Sequence, residues 1–399
     1  MASPTVLISL LALLLAVVVA RRLQGLLGSA ALPAILLELT VGFLLGNTVL
    51  SYERLNGVSG IAELGVISLF FLVGLETRGD LLADHRTDIL RTVLISSLAP
   101  LLFFVPVRAL TGASTAQVLL FLAVVAATGT GVTLRTLRSL GAMATPSARL
   151  LVGVSVLDDL PAVGLLALAT FVAGRSGEGT SGAGALAASG PFASGGLGWI
   201  ALGLALAGLC YGLVKVFVQR CGPRRLGPFA LVLLMIASAA AGETFGLTGL
   251  LGALFGGMLL ARLSPPDAAV EDNLVVFSDV FVPLYFVTVG MRVKLESLLS
   301  PAAWQLAGLL IAMALISKLL CWYGIGKAAR SQGVDPWTVV FGLIPRGLPG
   351  LVFAGAALKA GLIDDNAFSA LVIMVTSTTV LGLLLLNRRV QSLRRKASP

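Results

Sequence analysis

Charge is scarce in this sequence. Only 12% of its 399 residues are charged, about half the share that a soluble folded domain carries. With 57% hydrophobic residues and a mean hydropathy of +0.99, the composition excludes an ordinary soluble domain. Histidine is almost absent: His85 is the single one, set among Asp84, Arg86 and Asp88, where it reads as a solvated loop residue. The three cysteines, Cys210, Cys221 and Cys321, are scattered and odd in number. They offer neither a disulfide framework nor a zinc site. Alternating short strands are missing, which argues against an outer-membrane barrel. There is no nucleotide loop, metal-ligand cluster or nucleophile triad, so an enzyme is not expected.

What the chain does have is apolar runs of roughly 17–25 residues, each long enough to cross a ~30 Å hydrocarbon core as a helix. They predict an all-α polytopic membrane protein of about thirteen spans. The spans fall near 4–20, 32–49, 59–76, 89–110, 115–137, 146–173, 197–217, 227–243, 245–263, 274–292, 302–328, 335–359 and 366–387. The first lacks a positive leader and is followed by Arg21 and Arg22, which suits a signal anchor with its N-terminus outside. On that topology 20 of the 28 Lys and Arg residues fall in cytoplasmic segments and 6 outside. The positive-inside rule therefore predicts a cytoplasmic C-terminus. The net charge of +9 is topological and does not call for nucleic acid. Residues 174–198 are rich in Gly, Ser and Ala and read as a flexible external loop. About a dozen residues follow the last span, so no attached regulatory domain is expected.

The chain also resembles itself. Phe71–Leu82 (FLVGLETRGDLL) and Phe286–Leu298 (FVTVGMRVKLESL) each end a span with an aromatic-rich run, then Val-Gly, then a charged exit and leucines. The glycine-spaced stretches Leu39–Gly46 and Leu250–Gly257 correspond at the same seven-span offset. An odd offset makes equivalent helices cross in opposite directions, which predicts an inverted-topology repeat. The repeat pairs Ala127–Thr133 (ATGTGVT) with Ile344–Gly350 (IPRGLPG). Proline removes a backbone N–H and glycine loosens a helix, so two broken crossing helices are predicted there. Irregular backbone at membrane depth survives only where protein or a wet cavity satisfies it.

A charge at the centre of a spanning helix costs about 2.5–3.5 kcal/mol, so intramembrane charges are functional candidates. Asp158 and Asp159 lie mid-span in Val154–Pro161, Lys318 deep in the eleventh span, and Arg346 in the second break. Neighbours on a helix point about 100° apart, so one aspartate can meet a cation while the other faces a cavity. Close carboxylates in a low dielectric repel, and uptake of either a proton or a metal ion relieves them. Carbonyl oxygens beside Pro161 and the hydroxyls of Thr128, Thr130 and Thr133 complete an oxygen-rich set suited to a small hard cation. Lys318 is the natural counter-charge, as a fixed salt bridge or a proton carrier. The bland alternative is a buried ion network that only orients helices. Arg346 is expected to compensate carbonyl ends beside the break, with Glu63 a possible acidic partner.

At these residues the chain resembles the bacterial monovalent cation/proton antiporters, specifically the NapA-type thirteen-span sodium/proton antiporters. The likeness runs over nearly the whole chain. Its landmarks are Phe71–Arg78, Ala127-Thr128, Gly131–Thr133, Asp158-Asp159, Lys318, Pro345–Gly347 and Leu358–Gly361. It implies an NhaA/NapA-like antiporter fold acting as a homodimer. The dimerisation domain would comprise residues 1–88 and 199–300. A core domain of residues 89–173 and 301–387 would move as an elevator, with 388–399 a basic cytoplasmic tail. The resemblance further implies that Asp159 is the principal ion and proton carrier, that Asp158 pairs with Lys318, and that exchange is electrogenic. Two departures stand out: Gly129 replaces a serine common in such antiporters, and Leu348-Pro349 follow Pro-Arg-Gly where a glutamate is usual.

The expected function is Na⁺ or Li⁺ exchange for H⁺ across the inner (plasma) membrane, with no cofactor and with the lipid bilayer and a second copy as partners. K⁺/H⁺ exchange on the same scaffold is the near alternative. An inverted-repeat sodium-coupled symporter for an organic anion is a more distant one.

Overall fold

The computed structural model describes residues 4–27, 34–50, 52–55, 59–76, 86–129, 132–133, 136–137, 140–176, 228–244, 249–263 and 268–397. Among them every regular element is helical. The longer helices are α1 (Pro4–Leu27), α2 (Ala34–Thr48), α3 (Ser59–Glu76), α4 (Arg86–Leu98), α5 (Phe104–Thr111), α6 (Thr115–Ala126) and α7 (Pro146–Ser176). They continue as α8 (Pro228–Thr244), α9 (Gly249–Leu263), α10 (Ala268–Arg292), α11 (Pro301–Leu319), α12 (Pro336–Leu343), α13 (Gly347–Lys359) and α14 (Asp365–Ala397). Among the described residues, five segments are long and apolar enough to cross a bilayer: Leu7–Leu26, Arg86–Thr111, Leu274–Arg292, Pro301–Gly324 and Asp365–Arg395. Further apolar helices are shorter, among them Thr115–Ala126 and Pro349–Lys359. The predicted span at 197–217 and the predicted loop beyond Ser176 lie outside the described residues.

The chain divides into two compact units. One holds α1, most of α2, α3, α8, α9 and α10; the other holds α4 to α6, nearly all of α7, and α11 to α14. In the first unit, glycines let helix backbones touch. A Cβ on Gly42 would stand 2.2 Å from the Val287 carbonyl oxygen, and one on Gly290 would stand 2.2 Å from that of Leu39. The same happens between α3 and α9, where a Cβ on Gly74 would lie 2.2 Å from the Leu254 oxygen and one on Gly257 2.1 Å from the Phe71 oxygen. Thus Leu39 and Gly42 are to Val287 and Gly290 what Leu254 and Gly257 are to Phe71 and Gly74. These are the Val-Gly and glycine-spaced stretches that the sequence pairs as repeats, and each packs against the other repeat's partner. Small residues serve membrane helices in this way, since lipid supplies no hydrophobic force to draw them together.

In the second unit α14 packs along α11, α12 and α13, and α6 packs on α13. A buried apolar cluster that includes Val93, Leu151, Val154, Ile325, Val340, Leu343, Leu386 and Val390 joins α4, α7, α12 and α14. α6 begins at a capping box: Ser114 accepts from the Gln117 N–H (3.3 Å), and the Gln117 side chain accepts from the Ser114 N–H (3.1 Å). α12 begins at Asp335, whose carboxylate accepts from the Thr338 N–H (2.8 Å) and receives a two-pronged bond from Arg389 of α14 (2.7 and 3.1 Å). The predicted basic tail from residue 388 is helical over its described residues. α14 continues as helix to Ala397, because Arg, Gln, Leu and Lys are good helix formers and no Gly or Pro interrupts them.

Replacing Gly42 by alanine should destabilise the protein by about 1–3 kcal/mol, the usual cost of overpacking. Gly25→Ala, whose Cβ would meet nothing within 4 Å, should not. Thermal unfolding of both variants in detergent checks this, and equal melting temperatures would contradict the backbone-contact account.

Candidate functional site

The site forms where two interrupted stretches meet. α6 ends at Ala126 after 12 residues, a rise of about 18 Å, which is short of a ~30 Å core. Ala127–Gly129 then leave the helix, while Ile344–Arg346 separate α12 from α13. The two irregular backbones are stitched together. Gly129 N–H donates to the Pro345 carbonyl at 2.6 Å, and Arg346 Nη1 donates to the Ala127 carbonyl at 2.9 Å. Thr133 Oγ1 donates to the Gly342 carbonyl at 2.9 Å. Pro345 fits because α14 carries Gly382 opposite it, where a Cβ would lie 2.6 Å from the proline ring. Gly347 takes φ of +47°, a left-handed conformation that favours glycine.

Gly129 now has a physical reason. A Cβ there would stand 2.8 Å from Gly347 N and 3.0 Å from the Arg346 carbonyl carbon. The residue that read as a missing hydroxyl is the one that lets the two backbones cross. A serine cannot occupy it unless the crossing widens.

Beside the crossing lies a buried ion pair. Lys318 Nζ, from the last turn of α11, is 2.7 Å from Asp158 Oδ2 of α7, and both side chains have 0% exposure. The ammonium also donates to the Ala126 carbonyl (3.0 Å), to Thr128 Oγ1 (3.0 Å) and, more closely, to Ser96 Oγ of α4. Thr128 in turn donates to Asp158 Oδ2 in a short hydrogen bond. The Ala126 carbonyl is one of the orphans at the end of α6, so the lysine caps a helix C-terminus as well as a carboxylate. Asp158 Oδ1 is buried with no hydrogen-bond partner among the described residues, and so is Arg346 Nε. α7 runs through Pro161, whose missing N–H leaves the Leu157 carbonyl without its usual helical donor.

The structure thus brings together Asp158, Lys318 and Thr128 from the set expected on sequence grounds. Thr133 is near the crossing, where its hydroxyl donates to the Gly342 carbonyl. Arg346, fully buried, compensates carbonyl ends, donating to Ala127 and, through Nη2, to Ala314 at 2.8 Å. Glu63, suggested as its acidic partner, belongs to the first unit. Asp159 follows Asp158 in α7, but its side chain lies outside the described residues, as do Thr130 and the Leu348 side chain. Sequence reasoning missed Ser96. Its signal was present, since Ser96-Ser97 interrupt an apolar span with two hydroxyls.

The family model described as sodium/hydrogen exchanger, transmembrane, matches residues 6–387. The chain belongs to the sodium/hydrogen exchanger family. Membership makes it a transmembrane cation/proton antiporter. Among relatives, it is 27% identical to the Na(+)/H(+)-K(+) antiporter GerN of Bacillus cereus, over 88% of this chain and 88% of that protein. It is 26% identical to the high-affinity Na(+)/H(+) antiporter NhaS3 of Synechocystis, over 86% and 75%. It is also 26% identical to an Na(+)/H(+) antiporter of Enterococcus hirae, over 89% and 91%. In fold it resembles the sodium proton antiporter MjNhaP1 from Methanocaldococcus jannaschii, with a TM-score of 0.65 at 17% identity over 98% and 99% of the two chains.

Lys318→Ala leaves a carboxylate buried without its cation, which should cost about 3–5 kcal/mol of stability. Lys318→Ala together with Asp158→Ala should be less destabilised than the single lysine variant. Melting temperatures of Lys318→Ala, Asp158→Ala and the double variant decide it, and additive losses would show that the pair is not coupled. Gly129→Ser should lower the melting temperature where Thr128→Ser does not, and an unchanged value for Gly129→Ser would refute the steric reading of the crossing.

Proposed function

We propose that this chain exchanges Na⁺ or Li⁺ for H⁺ at Asp159, with Asp158 held by Lys318 as the fixed neighbour. The observation that carries the reading is the Lys318–Asp158 pair, closed off from solvent at the end of the interrupted α6, with a second carboxylate next in sequence. Asp159 is the next carboxylate of α7, and because neighbours on a helix point about 100° apart it is not held to the same partner as Asp158. A proton and a metal ion then compete for Asp159, because either reduces its repulsion with Asp158. Competition for one site is sufficient for antiport when access alternates between the two faces of the membrane. The unpartnered Oδ1 of Asp158, the Leu157 carbonyl and the neighbouring threonine hydroxyls are oxygen donors of the kind a small hard cation takes.

The second unit carries this machinery and is the candidate moving domain of an elevator, with the first unit the candidate dimerisation scaffold of a homodimer. The electrogenic exchange that the resemblance implies, with more protons than cations per cycle, requires a second proton carrier beside Asp159, and the Lys318–Asp158 pair is the candidate for it. The plasma membrane, with a cytoplasmic C-terminus, is the placement that the basic segments favour. Each of the three relatives is named for Na⁺, which supports sodium over pure K⁺/H⁺ exchange. An organic-anion symporter lacks comparable support.

Reconstituted in liposomes under an imposed pH gradient, the protein should collapse the gradient on addition of Na⁺ or Li⁺, and much less with K⁺. No response to any of the three at several pH values would sink the reading. Asp159→Asn should abolish exchange while the protein still folds. Full activity in that variant would move the carrier elsewhere.

A further inference from the structure

The C-terminal turns of α14 take no part in the ion site, and their two faces differ sharply. One face is committed inward. Leu386 and Val390 are buried in the apolar cluster of the second unit, and Arg389 holds Asp335 at the start of α12. The other face carries Arg388, Gln391, Ser392 and Arg395, which line a surface cavity of about 360 Å³. At 100° per residue, these four fall within an arc of about 100°. Leu381 and Leu384 lie in that same arc, directly before them, and are 38% and 46% exposed. The stripe therefore passes from exposed leucines to guanidinium groups without turning off the helix. Arg388 follows Leu384 by about 6 Å of helical rise and Arg395 by about 16 Å.

This is the pattern that a lipid molecule would present in reverse: acyl chain first, phosphate next. We propose that this face of α14 binds the phosphodiester headgroup of an anionic lipid in the leaflet where the helix leaves the membrane. The planar guanidinium fork pairs with two phosphate oxygens at once. Gln391 and Ser392, between the arginines on the stripe, supply neutral donors for the glycerol or phosphate oxygens. The cavity is at the small end of the range for bound ligands. Free phosphate would satisfy the arginines equally, but it has no use for Leu381 and Leu384. A lipid uses both halves of the stripe. Because α14 also holds α12 through Arg389, an occupied site would steady the helix that leads into the crossing. The inference rests on membrane embedding alone and stands whichever cation the protein carries.

The test is binding to the delipidated full-length protein in neutral detergent, read by native mass spectrometry. Phosphatidylglycerol, phosphatidylcholine and inorganic phosphate are each titrated at matched concentration. Phosphatidylglycerol should bind in preference to phosphatidylcholine. Arg388→Gln or Arg395→Gln should weaken it about fivefold each, and the double variant about thirtyfold, with phosphatidylcholine binding unchanged. Arg389→Gln, which breaks the Asp335 pair, should lower the melting temperature and keep the lipid preference. The proposal is overturned if the two lipids bind wild type equally, or if the double variant keeps wild-type affinity for phosphatidylglycerol. It is likewise overturned if inorganic phosphate occupies the site as well as the lipid does, or if Arg389→Gln loses the preference as fully as the double variant.

Discussion

An ammonium group and a carboxylate sealed together inside a helical bundle are expensive to bury and more expensive to separate. Lys318 and Asp158 meet at 2.7 Å with no exposed side-chain surface, and much of the second unit reads as a set of conditions for keeping them there. Four acceptors surround the lysine: a carboxylate from α7, a hydroxyl from α4, and a hydroxyl and a carbonyl from the end of α6. The interruption of α6 is part of this solution, since an unbroken helix would have kept the Ala126 carbonyl for its own hydrogen bond. The frayed end of one helix becomes the seat of a cation.

The interruption creates a second demand, because irregular backbone at membrane depth must be satisfied by protein. Here the two irregular stretches satisfy each other. Gly129 donates to Pro345, Arg346 donates to Ala127, and Thr133 donates to Gly342. Their approach is so close that neither Gly129 nor Gly347 has room for a side chain. The first unit uses glycine for a different end, letting intact helices touch along their length. In both units backbone proximity is the constraint and glycine the means. In the second it also fixes where the buried charges stand.

The parts of this arrangement legible in the sequence were those with a large energetic signature. A charge inside an apolar run is conspicuous, which singled out Asp158, Lys318 and Arg346. Glycine and proline clusters inside predicted spans marked both breaks, and a repeated pairing of Val-Gly with glycine-spaced helices marked the repeat contacts. Features that depend on tertiary approach were not legible. Gly129 looked like a lost ligand because its one-dimensional neighbours say nothing of Gly347. Ser96 was hidden since a serine in a span is cheap when it bonds to its own helix, and only its nearness to Lys318 distinguishes it. The helical state of the basic stretch after residue 388 was not legible either, because charge ends an apolar run without ending a helix.

The central claim is that a proton and a metal ion compete for one carboxylate beside a fixed ion pair. The most direct test is calorimetric titration of Na⁺ into the detergent-solubilised protein at a series of pH values, repeated in buffers of different ionisation enthalpy. Competition predicts that Na⁺ affinity falls as pH falls, that binding releases protons, and that Asp159→Asn removes both effects. Sodium binding that is independent of pH and releases no proton, or that survives unchanged in Asp159→Asn, would contradict the account.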